Sequence, residues 1–308
     1  MLTGQPPSVD PAVSVISVPG SEESYSNPGY SIIQKLLKDV QNDSFENILD
    51  QLVLKPSGMV NSSFQQPIPA RLGARRAIGY NNQLKPYVYK IFPYMAAGGL
   101  WTTPEDLANF VITVFGDYEG KAVILSREMA HQVLSHDRER LAFAKIVNDR
   151  SDDLIFRHYG SNQGFTCYVV GSLKNRQALI AMTNSDNGFA LLDYLARATA
   201  EHYKWDYLQP EVFEPVELDP EEMIGFQGRF NHNAKILQFT QKDDSLWVSS
   251  EGEEAQAKLT PVRNSTFINP VDSVMYKFLK NRTGDIKYYK WCYIVEASGS
   301  ENYAPRVE

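Results

Sequence analysis

Apolar residues follow a helical period in the early part of the chain and shift to β-type runs after about residue 140. Ile32, Ile33, Leu36, Leu37 and Val40 repeat at helical spacing and predict a helix with one apolar face, packed against the interior. It comes directly after the turn Tyr25-Ser26-Asn27-Pro28-Gly29-Tyr30. Asn27 suits the N-cap there, and Pro28 the first helical position, where its missing N–H costs nothing. A second helix begins at Ser44, places Phe45, Ile48, Leu49, Leu52 and Val53 on one face, and stops at Pro56. Residues 61–94 read as a long loop with several prolines and aromatics, a length that in a compact domain suits the wall of a cleft. Thr103 then caps a helix with Pro104 in its first turn and Asp106 where a capping-box acid belongs. Leu107, Phe110, Val111, Val114 and Phe115 form its buried stripe, and a shorter helix runs from Ser126 to Leu134.

Leu141–Val147, Leu154–His158, Phe165–Leu173 and Gln177–Thr183 are runs of β-branched, aromatic and aliphatic residues. Polar turns such as Asn148-Asp149 and Lys174-Asn175-Arg176 separate them, so they read as antiparallel neighbours. A helix over about 191–205, with Leu191, Leu192, Leu195 and Ala198 inward, closes this region. Pro210, Pro215 and Pro220 punctuate an acidic stretch, 208–222, that reads as a linker. Beyond it stand only short runs of strand type, at regular spacing, which predict a small antiparallel barrel or sandwich with a structural role.

Composition narrows the partners. The hydrophobic share of 43% and charged share of 22% are those of a globular protein. A formal charge of −7 argues against a nucleic-acid partner, which needs concentrated Lys and Arg. Cys167 and Cys292 stand far apart in apolar runs and read as buried free thiols, with neither a disulfide framework nor a zinc pattern. No run of about 18 apolar residues predicts a transmembrane helix, and Met1 to Gly20 lack the basic start and apolar core of a signal peptide. No cofactor or metal is expected, and compartment and oligomeric state are left open.

Two polar features carry the candidate chemistry. A tyrosine hydroxyl and an asparagine amide stand two residues apart in the Tyr25 turn, where a tight turn can hold them rigidly. A plain helix cap explains such a turn equally well. The second is Arg157-His158-Tyr159-Gly160-Ser161-Asn162, read as a strand ending in His-x-Gly. There Gly160 leaves room for a ligand carbonyl, and the Ser161 N–H can serve as an oxyanion donor. An ordinary hairpin with a surface histidine is the alternative.

Together these motifs resemble those of the serine β-lactamase and penicillin-binding-protein superfamily, in particular the group related to class C β-lactamases, D-alanyl-D-alanine carboxypeptidases and esterases. Tyr25-Ser26-Asn27 is similar to that group's Tyr-x-Asn motif, and Pro56-Ser57-Gly58-Met59 to its Pro-Leu-Gly-Met turn. The run from Ala97 to Leu107 resembles its Gly-Leu-x-Ser/Thr-Thr-x-x-Asp-Leu stretch. His158-Tyr159-Gly160 stands where the Lys-Thr-Gly strand motif is found, and Gly164-Phe165 and residues 183–186 fit the family's next strands. The resemblance spans about residues 1 to 205, and the terminal β region resembles the lipocalin-like domains appended to some of these proteins. It implies an α/β (α+β) fold with an antiparallel sheet and flanking helices. The implied domains are 1–207, a linker at 208–222, and a β domain at 223–308.

The resemblance also implies roles. Tyr25 would move the protons of the nucleophilic serine and of the leaving group through a lowered pKa. Asn27 would orient the substrate amide. His158 would replace the strand lysine, binding a carboxylate or assisting proton transfer, and Gly160 and Ser161 would shape the oxyanion site. The implied ligand is a small molecule or peptide-like amide or ester. The family's chemistry starts from Ser-x-x-Lys at the head of a buried helix. No serine here has a lysine three residues on; Ser31 with Lys35 and Ser273 with Lys277 are spaced by four. The expectation is therefore a family member incomplete at its N-terminus, inactive in acyl transfer, with a sheet edge left exposed. The rival expectation is a non-catalytic ligand- or partner-binding protein.

Overall fold

The computed structural model describes residues 12–15, 18, 25–134, 144–146, 153–208, 213–232, 235–252, 256–263, 265–271, 274–281, 284–293 and 302–307. The chain forms two compact units, residues 1–145 with 152–204, and residues 146–151 with 205–308.

The first unit opens with α1 (Asn27–Gln41), and its cap is Ser26 rather than Asn27. The Ser26 hydroxyl accepts from the Gly29 N–H at 3.0 Å, which moves Asn27 into the first turn. The apolar stripe of α1 is not buried. Ile32, Ile33, Leu36 and Val40 are 49, 47, 58 and 69% exposed, and Ser31 is the buried residue of the helix. Periodicity identifies which face is apolar; whether anything covers it depends on the neighbours. After its Ser44 cap, α2 (Phe45–Leu49) passes into a π-helical turn, Asp50–Leu54. The wider turn shifts the inward position from Leu52, which is exposed, to Leu54, which is 2% exposed.

Between residues 55 and 103 stand only the one-turn helices α3 (Ala70–Gly73) and α4 (Met95–Gly98). Thr103 caps α5 (Pro104–Tyr118), but Asp106 does not close a capping box. Its buried carboxylate instead accepts from the Asn61 N–H at 2.7 Å and the Ser62 hydroxyl at 2.6 Å, tying the loop to the helix. At the far end of α5, Asp117 is fully buried and accepts from the N–H groups of Val123, Ile124 and Leu125, which sets the turn into α6 (Arg127–Val133).

The sheet of this unit has the order β1 (Ala144–Ile146), β2 (Ile155–Asn162), β3 (Phe165–Ser172), β4 (Gln177–Thr183), with β2, β3 and β4 antiparallel. The Asn148-Asp149 turn lies outside the described residues. β2 does not end at the His-x-Gly sequence; it continues to Asn162, paired with Phe165, and turns at Gln163-Gly164. Gly164, at φ +80°, adopts the left-handed backbone that this turn requires. Phe156 and Arg157 point to opposite faces. The Phe156 ring meets Phe115 of α5 at 5.7 Å, within a core that includes Val111, Val114 and Val169. On the other face Tyr159 meets Phe189 of α7 (Phe189–His202), also at 5.7 Å. The inward residues of α7 are Leu192, Ala196 and Ala200. Leu191 and Leu195 are exposed, a one-position rotation of the predicted stripe that lets two small alanines bring the helix close to the strands.

The second unit contains α8 (Pro220–Ile224) and nine strands: β5 (Gly228–His232), β6 (Lys235–Lys242), β7 (Ser245–Ser250), β8 (Gln256–Lys258), β9 (Thr260–Arg263), β10 (Thr266–Asn269), β11 (Val274–Lys280), β12 (Ile286–Tyr293) and β13 (Asn302–Val307). They form one sheet in the order β8-β7-β6-β5-β13-β12-β11-β10-β9. Four strand spacings separate β6 from β11, roughly 19 Å in a flat sheet. The rings of Phe239 on β6 and Phe278 on β11 nevertheless lie 5.1 Å apart, so the sheet curls around an aromatic core. The edges β8 and β9 are joined through Leu259 and share no ladder, so among the described residues the barrel does not close. Val216, in the acidic stretch, donates its N–H to Pro261 at 2.9 Å, and Leu218 packs on the same core.

Candidate functional site

All five residues singled out in the sequence, Tyr25, Asn27, His158, Gly160 and Ser161, border one cavity of about 1370 Å³ in the first unit. The N-terminal end of α1, the α4 segment, the 85–94 loop and the Gly164 end of β2 and β3 enclose it.

The α1 wall is tethered through Gln34. Its side-chain amide donates to the Pro93 carbonyl at 3.3 Å and accepts from the Ala96 N–H at 2.9 Å, joining α1 to the start of α4. The side chains that this wall presents are not locked. Tyr25 is 79% exposed, Asn27 is exposed too, and neither side chain has a hydrogen-bond partner among the described residues. The rigid presentation expected of the turn is therefore absent, because the hydrogen bonds of the turn go to the Ser26 cap.

The β2 wall is fixed at both ends. Arg157, just before the site residues, is buried. Beyond them, the Asn162 side chain donates to the Gly98 carbonyl at 2.9 Å, pinning the strand to α4. His158 is exposed at the cavity, and partial desolvation there lowers its pKa below the usual 6.5. It is accordingly a neutral imidazole near pH 7, able to donate or accept a proton but not to supply a fixed positive charge. Gly160 lies opposite Cys167 on β3, and a Cβ there would meet the Cys167 sulfur at 2.3 Å. The space that glycine leaves open is thus filled by a thiol of this chain. Cys167 is half-buried and lines the cavity, unlike the fully buried thiol expected; burial raises its pKa, partly offset by the Gly160 N–H. Cys292 lies on β12 opposite Met275. Ser161 is exposed at the cavity, opposite Thr166.

Lys90, Tyr94 and Asp186 also border the cavity. The first two come from the 61–94 stretch that reads as a cleft wall, but in loops no periodicity points out which residues face the cavity. The Asp186 carboxylate accepts from the Tyr87 hydroxyl at 2.7 Å and from the Gly164 N–H at 2.6 Å, fastening the 85–94 loop to the β2–β3 turn. The bond to Asp186 raises the Tyr87 pKa. No three His, Cys, Asp or Glu side chains among the described residues are grouped to hold a metal ion, and no helix among them is long and apolar enough to cross a membrane.

Comparison with known proteins places this geometry in a family. A family model described as Beta-lactamase matches residues 3–204. Protein flp of Staphylococcus aureus (strain N315) is 22% identical over 201 residues, 61% of this chain and 39% of that protein. The chain thus spans 39% of the length of this curated relative. Among solved structures, SurE aligns with a TM-score of 0.61 at 18% identity, over 96% of this chain and 70% of that one. The octameric penicillin-binding protein homologue from Pyrococcus abyssi aligns at 0.53 and 16%, over 94% and 66%. Both structures share the fold. With a matched model covering well over half of its length and an antiparallel sheet between helices, the chain belongs to the Beta-lactamase family.

Proposed function

We propose that the first unit is the ligand cleft of a serine-hydrolase-type domain for amides or esters, with Tyr25, Asn27, His158 and Ser161 as its working polar groups. One observation carries the reading: motifs far apart in sequence meet on one cavity in a chain of this family. Tyr25 and neutral His158 are the groups able to move a proton, the Asn27 amide orients a ligand amide, and the Ser161 N–H stabilises a carbonyl oxygen. Gly160 lets the Cys167 thiol pack beside the strand that carries this donor. Residues 1–207 are the hydrolase-type domain, 208–222 the connection and 223–308 a lipocalin-like domain with a structural role.

These 308 residues contain no Ser-x-x-Lys, so the chain itself binds its ligand reversibly and forms no acyl-enzyme. The test is incubation with a fluorophosphonate and with a penicillin, then intact-mass measurement. An unchanged mass is expected; an adduct on any serine overturns the proposed inactivity. Reversible binding of an N-acyl amino-acid amide is expected to weaken in Tyr25→Phe and His158→Ala.

A second reading has its own observation. The apolar face of α1 is exposed, and β4, whose run Ala178–Met182 is wholly apolar, is an edge strand among the described residues. On this reading a further polypeptide segment bearing the Ser-x-x-Lys helix covers these surfaces and completes the site. Purification from the source cells as a monomer with no companion chain would count against it.

A further inference from the structure

The formal charge of −7 conceals a local excess of the opposite sign. Residues 60–103 carry Arg71, Arg75, Arg76, Lys85 and Lys90 and no Asp or Glu, in a chain with 37 acidic residues against 30 basic ones. None of these five cations has an ion pair among the described residues. The same stretch exposes apolar side chains. Leu84 and Val88 are 71 and 85% exposed, and Val60, Ile78 and Ile91 are at least half exposed. Exposed apolar residues scattered singly are ordinary, but here they stand beside the cations, as in Leu84-Lys85 and Lys90-Ile91.

The segment that presents them is fixed at its base and open at its tip. Tyr80 donates its N–H to the Asn184 carbonyl and accepts from the Asp186 N–H, both at 3.0 Å. The Tyr87 N–H donates to the Gly79 carbonyl at 2.8 Å, closing a hairpin over 79–87. Asn81 holds its turn, the side chain accepting from the Gln83 and Lys85 N–H groups at 2.9 Å. Leu84 has a φ of +59°, a left-handed backbone uncommon for a leucine, although its side chain buries little surface. Past the hairpin, Tyr87 and Tyr89 turn inward. The Tyr87 hydroxyl donates to Asp186 at 2.7 Å, and the Tyr89 hydroxyl accepts from the Ile68 N–H at 2.8 Å. Val88 and Lys90 alternate with them and stay exposed. Arg76, Ile78, Pro86, Val88 and Lys90 border one hollow of about 220 Å³, so cations and apolar side chains are neighbours on this face. Asp186, the acid behind it, is engaged by Tyr87 and the Gly164 N–H.

We propose that this face docks on the surface of an anionic phospholipid bilayer. Leu84 and Val88 enter between the headgroups, and Arg76, Lys85 and Lys90 lie at the lipid phosphates. Charge selects an anionic partner, and the exposed apolar side chains select lipid among anionic partners. A soluble polyanion would engage the cations alone, whereas Leu84, Val88 and Ile91 gain only where hydrocarbon is within reach. The assignment does not depend on the cleft reading given above.

The test mixes the full chain with vesicles of phosphatidylglycerol and phosphatidylcholine in equal parts, and with vesicles of phosphatidylcholine alone, and measures the bound fraction by flotation. Binding to the first is expected, with binding to the second at least about tenfold weaker. Lys85→Gln combined with Lys90→Gln is expected to weaken binding about 25-fold, about fivefold for each charge. Leu84→Ser combined with Val88→Ser is expected to weaken it more than about tenfold. In Val88→Trp, tryptophan emission is expected to move to the blue on addition of the anionic vesicles, beyond any shift of the native chain. No binding to the anionic vesicles, or binding unchanged in either double variant, overturns the proposal. So does a Val88→Trp emission that shifts no more than that of the native chain. Binding that survives Leu84→Ser with Val88→Ser and is competed away by dextran sulfate identifies a polyanion site and overturns the lipid assignment. All the substituted positions are exposed, and an unchanged thermal midpoint confirms that each variant is folded. If a double variant is destabilised, the Val88→Trp emission decides.

Discussion

At the residue scale, the β2 motif is governed by its partner on β3. Gly160 is required because the Cys167 thiol occupies the place of its missing side chain. Gly160→Ala should therefore destabilise the chain by about 1–3 kcal/mol through overpacking. Adding Cys167→Ala should recover most of the loss, measured by urea denaturation; a double variant as unstable as the single one would show that the thiol is not the obstacle. His158 supplies a second prediction. Its pKa is depressed in the folded chain because its charged form is desolvated. On acidification the unfolded chain takes up the proton first, so the contribution of His158 to stability is complete above about pH 6.5 and is lost as pH falls below it. An NMR titration should place its midpoint below that of a free histidine; a midpoint at or above 6.5 would refute the desolvation account. The Gly160 effect is not visible in His-Tyr-Gly as a string, because the strand pairing that creates it is made with residues 165–172.

At the element scale, helices are legible in the sequence and their burial is not. The caps Ser44, Thr103 and Ser126 are where the sequence places them, since a cap depends on residues within one turn. The stripes of α1 and α7 depart from expectation for the opposite reason: a stripe says which face is apolar, and packing says whether it is covered. Two residues make the contrast measurable. Ile48 is 5% exposed and Leu36 is 58% exposed. Ile48→Ala should cost about 2–5 kcal/mol, and Leu36→Glu no more than about 0.5 kcal/mol, both by chemical denaturation. A cost for Leu36→Glu near that of Ile48→Ala would mean that the α1 stripe is covered in solution. The shift from Leu52 to Leu54 has a local cause, the π turn, which a search at α-helical spacing passes over.

At the scale of the whole molecule, two units divide the labour between a mixed helix–sheet scaffold that carries the cavity and an all-β sheet that carries none of the candidate residues. The second unit is held by rings. Phe230 is fully buried and meets Phe239, Phe278 and Tyr289 at 5.6, 5.7 and 5.1 Å, drawing together residues of β5, β6, β11 and β12. Phe230→Ala should cost this unit about 3–5 kcal/mol, seen as a lowered midpoint in near-ultraviolet circular dichroism. An unchanged midpoint would place the stabilising contacts elsewhere.

The sequence by itself determined the main helices and strands, the antiparallel hairpins, the caps of α2, α5 and α6, and the absence of Ser-x-x-Lys from these 308 residues, because each depends on residues close together in the chain. It also named five residues that border one cavity. Only the tertiary structure decided that the α1 stripe meets solvent, that Cys167 fills the space at Gly160, that Asp106 ties a loop rather than a cap, and that Lys90 stands free beside the cleft. Those facts arise where distant segments meet, and a hydrophobic period or a short motif carries no information about which segment will be opposite.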